Sequence, residues 1–335
     1  MLERRAFLTS ALRGAGALLV LPAAGCDVRE FARVRGATQR ISIATGQVGG
    51  TYYILGGAIA HLVTSHVANV SATAEVTAAT VDNLKLLGAG QVDLAFAMGS
   101  TLADAYDGTR SFRTIGRIPV RALAVLYVQP MHLVTFARHG ITRVADLLGR
   151  VVSTGAPGSG TEDVAVEMLR AAGLDPDRDV RRERLGPTQS VDALRDGKIA
   201  AFFMGSAAPA PALMDLGGAA GREMRLLPSA ELLPVLHARF GAEQYPLHTI
   251  PAGTYPGQNA DLPTVGGPSI LVVDEAMAEP LAYEITRALF EHREQLAAIH
   301  PVARELTPER AVAGSPIPYH PGAIEYYRER GVWPS

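Results

Sequence analysis

Hydrophobic and polar positions divide the 335-residue chain into alternating short and long segments. Two short apolar runs, "RISIA" (40–44) and "GRVVS" (149–153), read as strands, and each ends in a glycine-rich loop. The loops open into helix-like segments, "YYILGGAIAHLV" (52–63) and "EDVAVEMLRAAG" (162–173). The loops match each other, "TGQVGGT" (45–51) against "TGAPGSGT" (154–161), and so do the segments after them. "TVDNL" (80–84) pairs with "SVDAL" (190–194), and "GQVDLAF" (90–96) with "GKIAAFF" (197–203). Strand, glycine loop, helix, Ser/Thr-opened helix and strand therefore occur twice in one order. Alternating β and α segments predict parallel sheets with helices on both faces, and two copies predict two similar α/β lobes.

The rest of the chain adds to the first lobe. Residues 248–267 are rich in Gly and Pro and read as a long connection. "SILVVD" (269–274) reads as a strand that rejoins the first lobe. Residues 279–299 form an amphipathic helix with Leu281, Ile285, Leu289 and Leu296 on one stripe, and a short helix comes after "HPG" (320–322). Lobe 1 is expected at 40–137 plus 268–335, lobe 2 at 138–248, and a hinge or connection at 249–267. Two crossings between lobes imply a hinge and a cleft, and the cleft is the default ligand site.

The N-terminus changes where this protein is expected to work. Arg4, Arg5 and Arg13 precede a weakly apolar stretch that ends in "AAGC", the anatomy of an export signal over residues 1–25. "RRAFL" is twin-arginine-like, and Cys26 closes a lipoprotein-like box; lipidation of Cys26 and plain cleavage both remain open. Residues 26–39 read as a polar tether. No other apolar stretch is long enough to span a bilayer, so the membrane is met only through a possible lipid anchor. One cysteine excludes an intramolecular disulfide and a multi-cysteine metal site. A formal charge of −2 gives no electrostatic case for nucleic acid. Lys85 and Lys198 are the only lysines, so an anion in the cleft meets either arginine or backbone N–H groups.

Helix starts carry free N–H groups at the positive end of the dipole, and glycines let an anion approach them. The favoured anion contacts are the N–H groups of Gly49, Gly50 and Thr51 and of Ser159, Gly160 and Thr161, with Gly158 beside them. Thr51 and Thr161 can cap their helices or offer hydroxyls. Of Tyr52 and Tyr53, one is expected to face the cleft and the other the lobe interior. Gly56 and Gly57 fit close helix–sheet packing. A Walker loop needs a lysine that neither loop has, and Gly46, Gly49 and Gly50 do not make the dinucleotide spacing; a plain tight turn remains the bland reading of the glycines. Catalytic signatures are missing: there is no G-x-S-x-G, and His61 and His66 lie on different helix faces. No enzyme activity, cofactor or metal is expected.

With these residues in view, the chain resembles the TAXI group of solute-binding proteins that serve tripartite ATP-independent periplasmic (TRAP) transporters. The stretches that carry the resemblance are "IATGQVGGTYYILGGAIA", "VDNLKLLGAGQVDLAFA", "GAPGSGTEDVAVEMLRAAGL", "LRDGKIAAFF", "IPAGTYPGQNADLPTVG" and "YHPGAIEYYRERG". The resemblance implies a two-lobed α/β periplasmic-binding fold, type II-like, with two parallel-core sheets, a hinge and a central cleft. It implies a periplasmic protein that captures a small carboxylate, such as glutamate or 2-oxoglutarate, for a TRAP permease. A ligand sensor that contacts a signalling protein is the alternative. The ligand-facing segments carry over to Thr45–Tyr53, to Thr80 and Asn83 and to Gly155–Thr161; Gly205 and Tyr255 complete the candidate set. Ala79 stands where the family has glycine, and Met98 where a glutamine is usual. Losing that amide removes a donor and an acceptor, which points to a ligand less polar than glutamate or to an uncontacted side.

Overall fold

The structure is a computed structural model that describes residues 38–220 and 223–334. The expected export signal, Cys26 and the tether up to residue 37 lie outside the described residues. The elements belong to one unit of the chain, Ala37–Ser335.

In chain order the first elements are β1 (Gln39–Ala44), α1 (Thr51–His66), β2 (Val70–Glu75), α2 (Thr80–Gly88), β3 (Leu94–Met98), α3 (Gly99–Asp107) and the long β4 (Val120–Phe136). The second set is β5 (Val151–Ser153), α4 (Gly160–Ala171), β6 (Arg181–Glu183), α5 (Pro187–Arg195), β7 (Ala201–Gly205), α6 (Pro211–Ala220), β8 (Met224–Leu226), α7 (Leu233–Phe240) and β9 (Leu247–Ile250). The chain returns through β10 (Leu262–Asp274), α8 (Glu279–Glu291), α9 (Arg293–Ile299), α10 (Pro308–Ala311) and α11 (Pro321–Glu329).

The strands form one mixed sheet in the order β2-β1-β3-β10-β4-β7-β5-β6, with β8 on β4 and β9 on β10. Pairing is parallel within β2-β1-β3 and within β6-β5-β7. It is antiparallel wherever β4 or β10 takes part. This is the expected α/β architecture with a parallel core in each half, but the two expected sheets are joined into one through β10 and β4. The join lies inside strands rather than in loops. β4 pairs with β10 from Val120 to Pro130 and with β7 and β8 from Met131 to Phe136.

Side-chain alternation along each strand explains why helices cover both faces. Leu94 and Phe96 of β3 and Leu271 and Val273 of β10 join the core under α1, α8 and α11. Ala95, Ala97, Ile270 and Val272 point the other way, toward α2 and α3. The second half repeats the arrangement: Phe203 packs with α4 and α7, and Phe202 and Met204 with α5 and α6.

Three local expectations change. Residues 247–250 and 262–265 pair as an antiparallel ladder, so the segment read as a connection begins and ends in strand. Its Gly and Pro residues mask the pattern, because the alternation there is carried by only a few side chains. The helix expected at 279–299 is two helices that meet at His292, where φ −114° and ψ 21° leave the helical region. Gln39, assigned to the tether, already pairs with Val70 in β1.

The glycine pair in α1 separates into two roles. A Cβ on Gly56 would come within 3.0 Å of Thr45 Cβ, just after β1, so α1 packs there at glycine distance. Gly57 faces solvent with nothing within 4 Å. Gly57→Ala should raise stability by about 1 kcal/mol through helix propensity, whereas Gly56→Ala should lower it. Chemical denaturation of the two variants checks this, and equal effects would contradict the packing argument.

Candidate functional site

The two matched loops sit at the carboxyl ends of parallel strands, β1 into α1 and β5 into α4, where open α/β sheets place ligands. Both loops and both helix starts line one cleft between the halves. From the first half come Gly50, Thr51, Tyr52, Thr80 and Met98; from the second come Ser159, Gly160, Thr161 and Gly205. Nine of the expected residues therefore share one cavity.

The others have other tasks. Thr45 is buried and its hydroxyl donates to Glu75 O at 2.7 Å. Gly49 adopts φ +90°, the conformation its turn requires of a glycine. Tyr53 points to solvent at 40% exposure, while Tyr52 both lines the cleft and places its ring 4.9 Å from Phe96. Asn83 is fully buried, and its amide donates to Thr45 O (2.7 Å) and Phe96 O (2.8 Å), tying the loop to β3. Gly158 accepts the N–H groups of Val81 and Asp82 at 3.0 and 3.2 Å. This spends two first-turn donors of α2 on closing the halves.

Tyr255 is a strut behind the cleft. Its oxygen accepts from Ala210 N (2.9 Å), so its proton goes to His132 Nε2 (2.8 Å). His132 Nδ1 then donates to Met204 O at 3.1 Å, which fixes the neutral tautomer beside a cleft-lining residue.

The polar groups of the cleft are mostly donors. Thr80 Oγ1 accepts from Met98 N and Thr161 Oγ1 from Gly205 N, both at 3.2 Å. A hydroxyl anchored as an acceptor keeps its proton to donate. Thr51 Oγ1 accepts from Ala207 N at 3.0 Å and lies 2.9 Å from Ser206 Oγ. The first-turn N–H groups of α1 and α4 have no intrahelical acceptor. Burial pushes the Tyr52 phenol up to about 12, so it stays neutral, 3.2 Å from Ser269 Oγ. Ser159 caps α4 by accepting from Glu162 N at 3.2 Å. Glu162 is held by Arg184 and by Gly158 N, away from the cavity.

Sequence reading missed several lining residues. Gln129, 3% exposed on β4, brings an amide into the cleft. Measured from a Cβ built on Gly205, Gln129 Nε2 lies at 3.4 Å and Met98 Cε at 3.0 Å. An amide is therefore present beside Met98, from another strand. A lone glutamine inside an otherwise apolar run was the available signal. Gln47, Leu185, Pro187, Phe203 and Met204 also line the cavity. No lining residue is Asp, Glu, Lys, Arg or His. Ser190 does not open its helix as Thr80 does: α5 begins at Pro187, and Ser190 Oγ bonds Ser153 Oγ at 2.8 Å.

The halves meet closely around the cleft. A Cβ on Gly160 would lie 2.8 Å from Thr80 Oγ1 and 3.1 Å from Met98 Cβ. Beyond the cavity, Thr101 Oγ1 donates to Asp163 Oδ2 (3.1 Å), and Arg110 bridges to buried Glu167 at 2.6 Å. Among the described residues no helix is long and apolar enough to cross a membrane, and no cluster could hold a metal ion.

A profile of the NMT1-like family matches residues 43–331. Among similar solved structures is a protein from Bordetella bronchiseptica RB50, 19% identical, aligned over 88% of this chain and 89% of that one, with a TM-score of 0.51. At that identity the likeness concerns the fold. Two further structures are more distant. One is the periplasmic aliphatic sulphonate binding protein SsuA from Escherichia coli, at 16% identity, 87% and 83% coverage and TM-score 0.45. The other is the alkanesulfonate-binding protein SsuA from Xanthomonas axonopodis pv. citri bound to MOPS, at 14% identity, 89% and 96% coverage and TM-score 0.48.

The cleft walls can be probed at two positions. Ala79, on the cavity wall, holds φ +85° and ψ −147°, a conformation suited to glycine. Ala79→Gly should stabilise the fold by a net gain on the order of 1 kcal/mol, as relief of strain outweighs lost backbone stiffness; a loss in urea titrations would refute the strain. His132, pulled down to about 4 by burial, should stay neutral at pH 5.5 in an NMR titration, and a charged His132 at that pH would refute its burial. Because its folded value lies below the unfolded value near 6.5, its contribution to stability is full above about pH 6.5 and is lost as pH falls toward 4.

Proposed function

The chain belongs to the NMT1-like family, and from that premise we propose that it is an extracytoplasmic solute-binding protein for a small organic anion. The observation that carries this reading is the cavity between the halves, faced by two matched loop–helix junctions. Two helix starts and the hydroxyls of Thr51, Thr80 and Thr161 converge there, and none of the lining groups is an acid–base pair that would turn binding into catalysis. A carboxylate fits the donor set. The solute would be held between halves that already share hydrogen bonds, and closure would present a shape for a membrane permease to read. The TAXI-like stretches support a TRAP-type permease as that partner, and the "RRAFL" and "AAGC" segments support export, with Cys26 as the lipid site.

Differential scanning fluorimetry against glutamate, 2-oxoglutarate and simple monocarboxylates tests the reading. At least one should raise the melting temperature saturably, by an amount equivalent to about 2.7 kcal/mol at a hundred times its Kd. A nucleotide that stabilises the protein when no carboxylate does would overturn it. Gly160→Val, which wedges Thr80 and Met98 away from α4, should abolish the shift while the circular dichroism spectrum stays unchanged. Retained affinity would move the solute elsewhere.

A further inference from the structure

We propose that the cavity selects small monocarboxylates that lack an amine, and rejects both amino acids and dicarboxylates. This rests on the reading of the cavity as a carboxylate site and narrows it to one charge class.

The reason is a charge balance across the cavity wall. Its lining contains no ionisable side chain of either sign except the neutral Tyr52 phenol. Positive potential comes from the starts of α1, sixteen residues long, and α4, twelve residues long. A helix N-terminus is equivalent to roughly half an elementary charge, so two of them balance about one negative charge. Three other starts at the wall offer less: Val81 and Asp82 of α2 donate to Gly158 O, α5 opens with Pro187, which has no N–H, and of α3 only the cap residue Met98, whose N–H goes to Thr80 Oγ1, reaches the lining. A second carboxylate would have to leave water with no cation to meet it.

An α-ammonium group fares no better. It needs a carboxylate acceptor, and those beside the lining residues are committed: Asp82 Oδ2 accepts from Ala78 N at 3.2 Å. Glu162 is held by Arg184 Nη2 at 2.9 Å and by Gly158 N at 3.3 Å. Asp163 turns toward Thr101 and Ser111 on the first half. The rest of the lining is largely apolar, with Met98, Leu185, Phe203 and Met204, and its side-chain amides are Gln47 and buried Gln129. That wall suits a short alkyl tail, and Gln129 suits one neutral oxygen on it. Met98 is the residue that decides against a second charge, since it stands beside Gln129 at Gly205.

A matched four-carbon series reads this directly. Isothermal titration of the full-length protein at pH 7.5 uses butyrate, 2-hydroxybutyrate, 2-aminobutyrate and succinate as probes. Butyrate or 2-hydroxybutyrate should bind at least about tenfold more tightly than 2-aminobutyrate and succinate, the scale of one charged group left without its partner. Equal or tighter binding of 2-aminobutyrate or succinate would overturn the charge-class proposal and leave the carboxylate reading standing. If none of the four probes and no other carboxylate binds, both fall. Met98→Gln supplies a further readout. The succinate-to-butyrate affinity ratio should rise about tenfold, the gain from one hydrogen bond to a charged oxygen. An unchanged ratio in the folded variant would remove Met98 from the selectivity. Should Met98→Gln not fold, the wild-type titrations decide alone.

Discussion

The antiparallel pairing of β4 with β10 is the constraint on which the rest of the molecule depends. It is the longest ladder in the sheet, and both strands serve both halves. β10 pairs with β3 on one side and with β9 at its start, while β4 passes on to β7 and β8. The two parallel-cored halves thus hang from one two-stranded ribbon. Its passage from one half to the other lies near Pro130 and Gly266, which face each other in the ladder. Side chains cross beside it as well, since Met98 of β3 packs into the core of the second half and Ala207 into that of the first. The same geometry fixes the cleft. Parallel strands on either side send their carboxyl ends toward it, and the loops after β1 and β5 have nowhere else to emerge.

The cleft and its surroundings divide the electrostatic work. Inside, donors belong to the backbone and to hydroxyls. Outside, on the flank of α4, the contacts are ionic: Glu167 is met by Arg110, Arg170 and Arg239. Arg110 reaches it from a left-handed backbone at φ +48°, a conformation that costs energy for a non-glycine residue. Burial pushes the neighbouring Asp163 up to about 6, against the opposing pull of Arg110. One helix therefore offers its N-terminus to the cavity and its flank to the partner half.

The repeat in the chain is real in topology and unequal in chemistry. Thr80 opens α2 and offers a hydroxyl to the cleft, whereas its counterpart Ser190 lies inside α5 and is spent on Ser153. The first-turn donors of α2 close onto the second half's own loop. Of the helix starts that the repeat places around the cavity, α5 opens with Pro187, which has no N–H, while those of α1 and α4 follow the matched loops. The neutral cleft and its preference for one charge arise from that inequality.

The sequence by itself determined the local units. Period-two runs made the strands, and matched glycine loops announced two βα junctions. Those junctions do line the cavity, because a loop between a parallel strand and its helix has its geometry set by nearby residues. Gly49, in the first of those loops, and Asn83, in α2, lie off the cavity lining, since a turn glycine and a buried amide look the same in sequence as ligand contacts. Tertiary structure decided the rest. Only the sheet order puts Gln129 beside Met98, so the amide missing from one strand is restored from a strand that sequence cannot place next to it. The same is true of Leu185 and Phe203 on the apolar wall, and of Tyr255, which reaches His132 instead of the cleft. Long-range pairing fixes which side chains share a volume, and no local pattern encodes it.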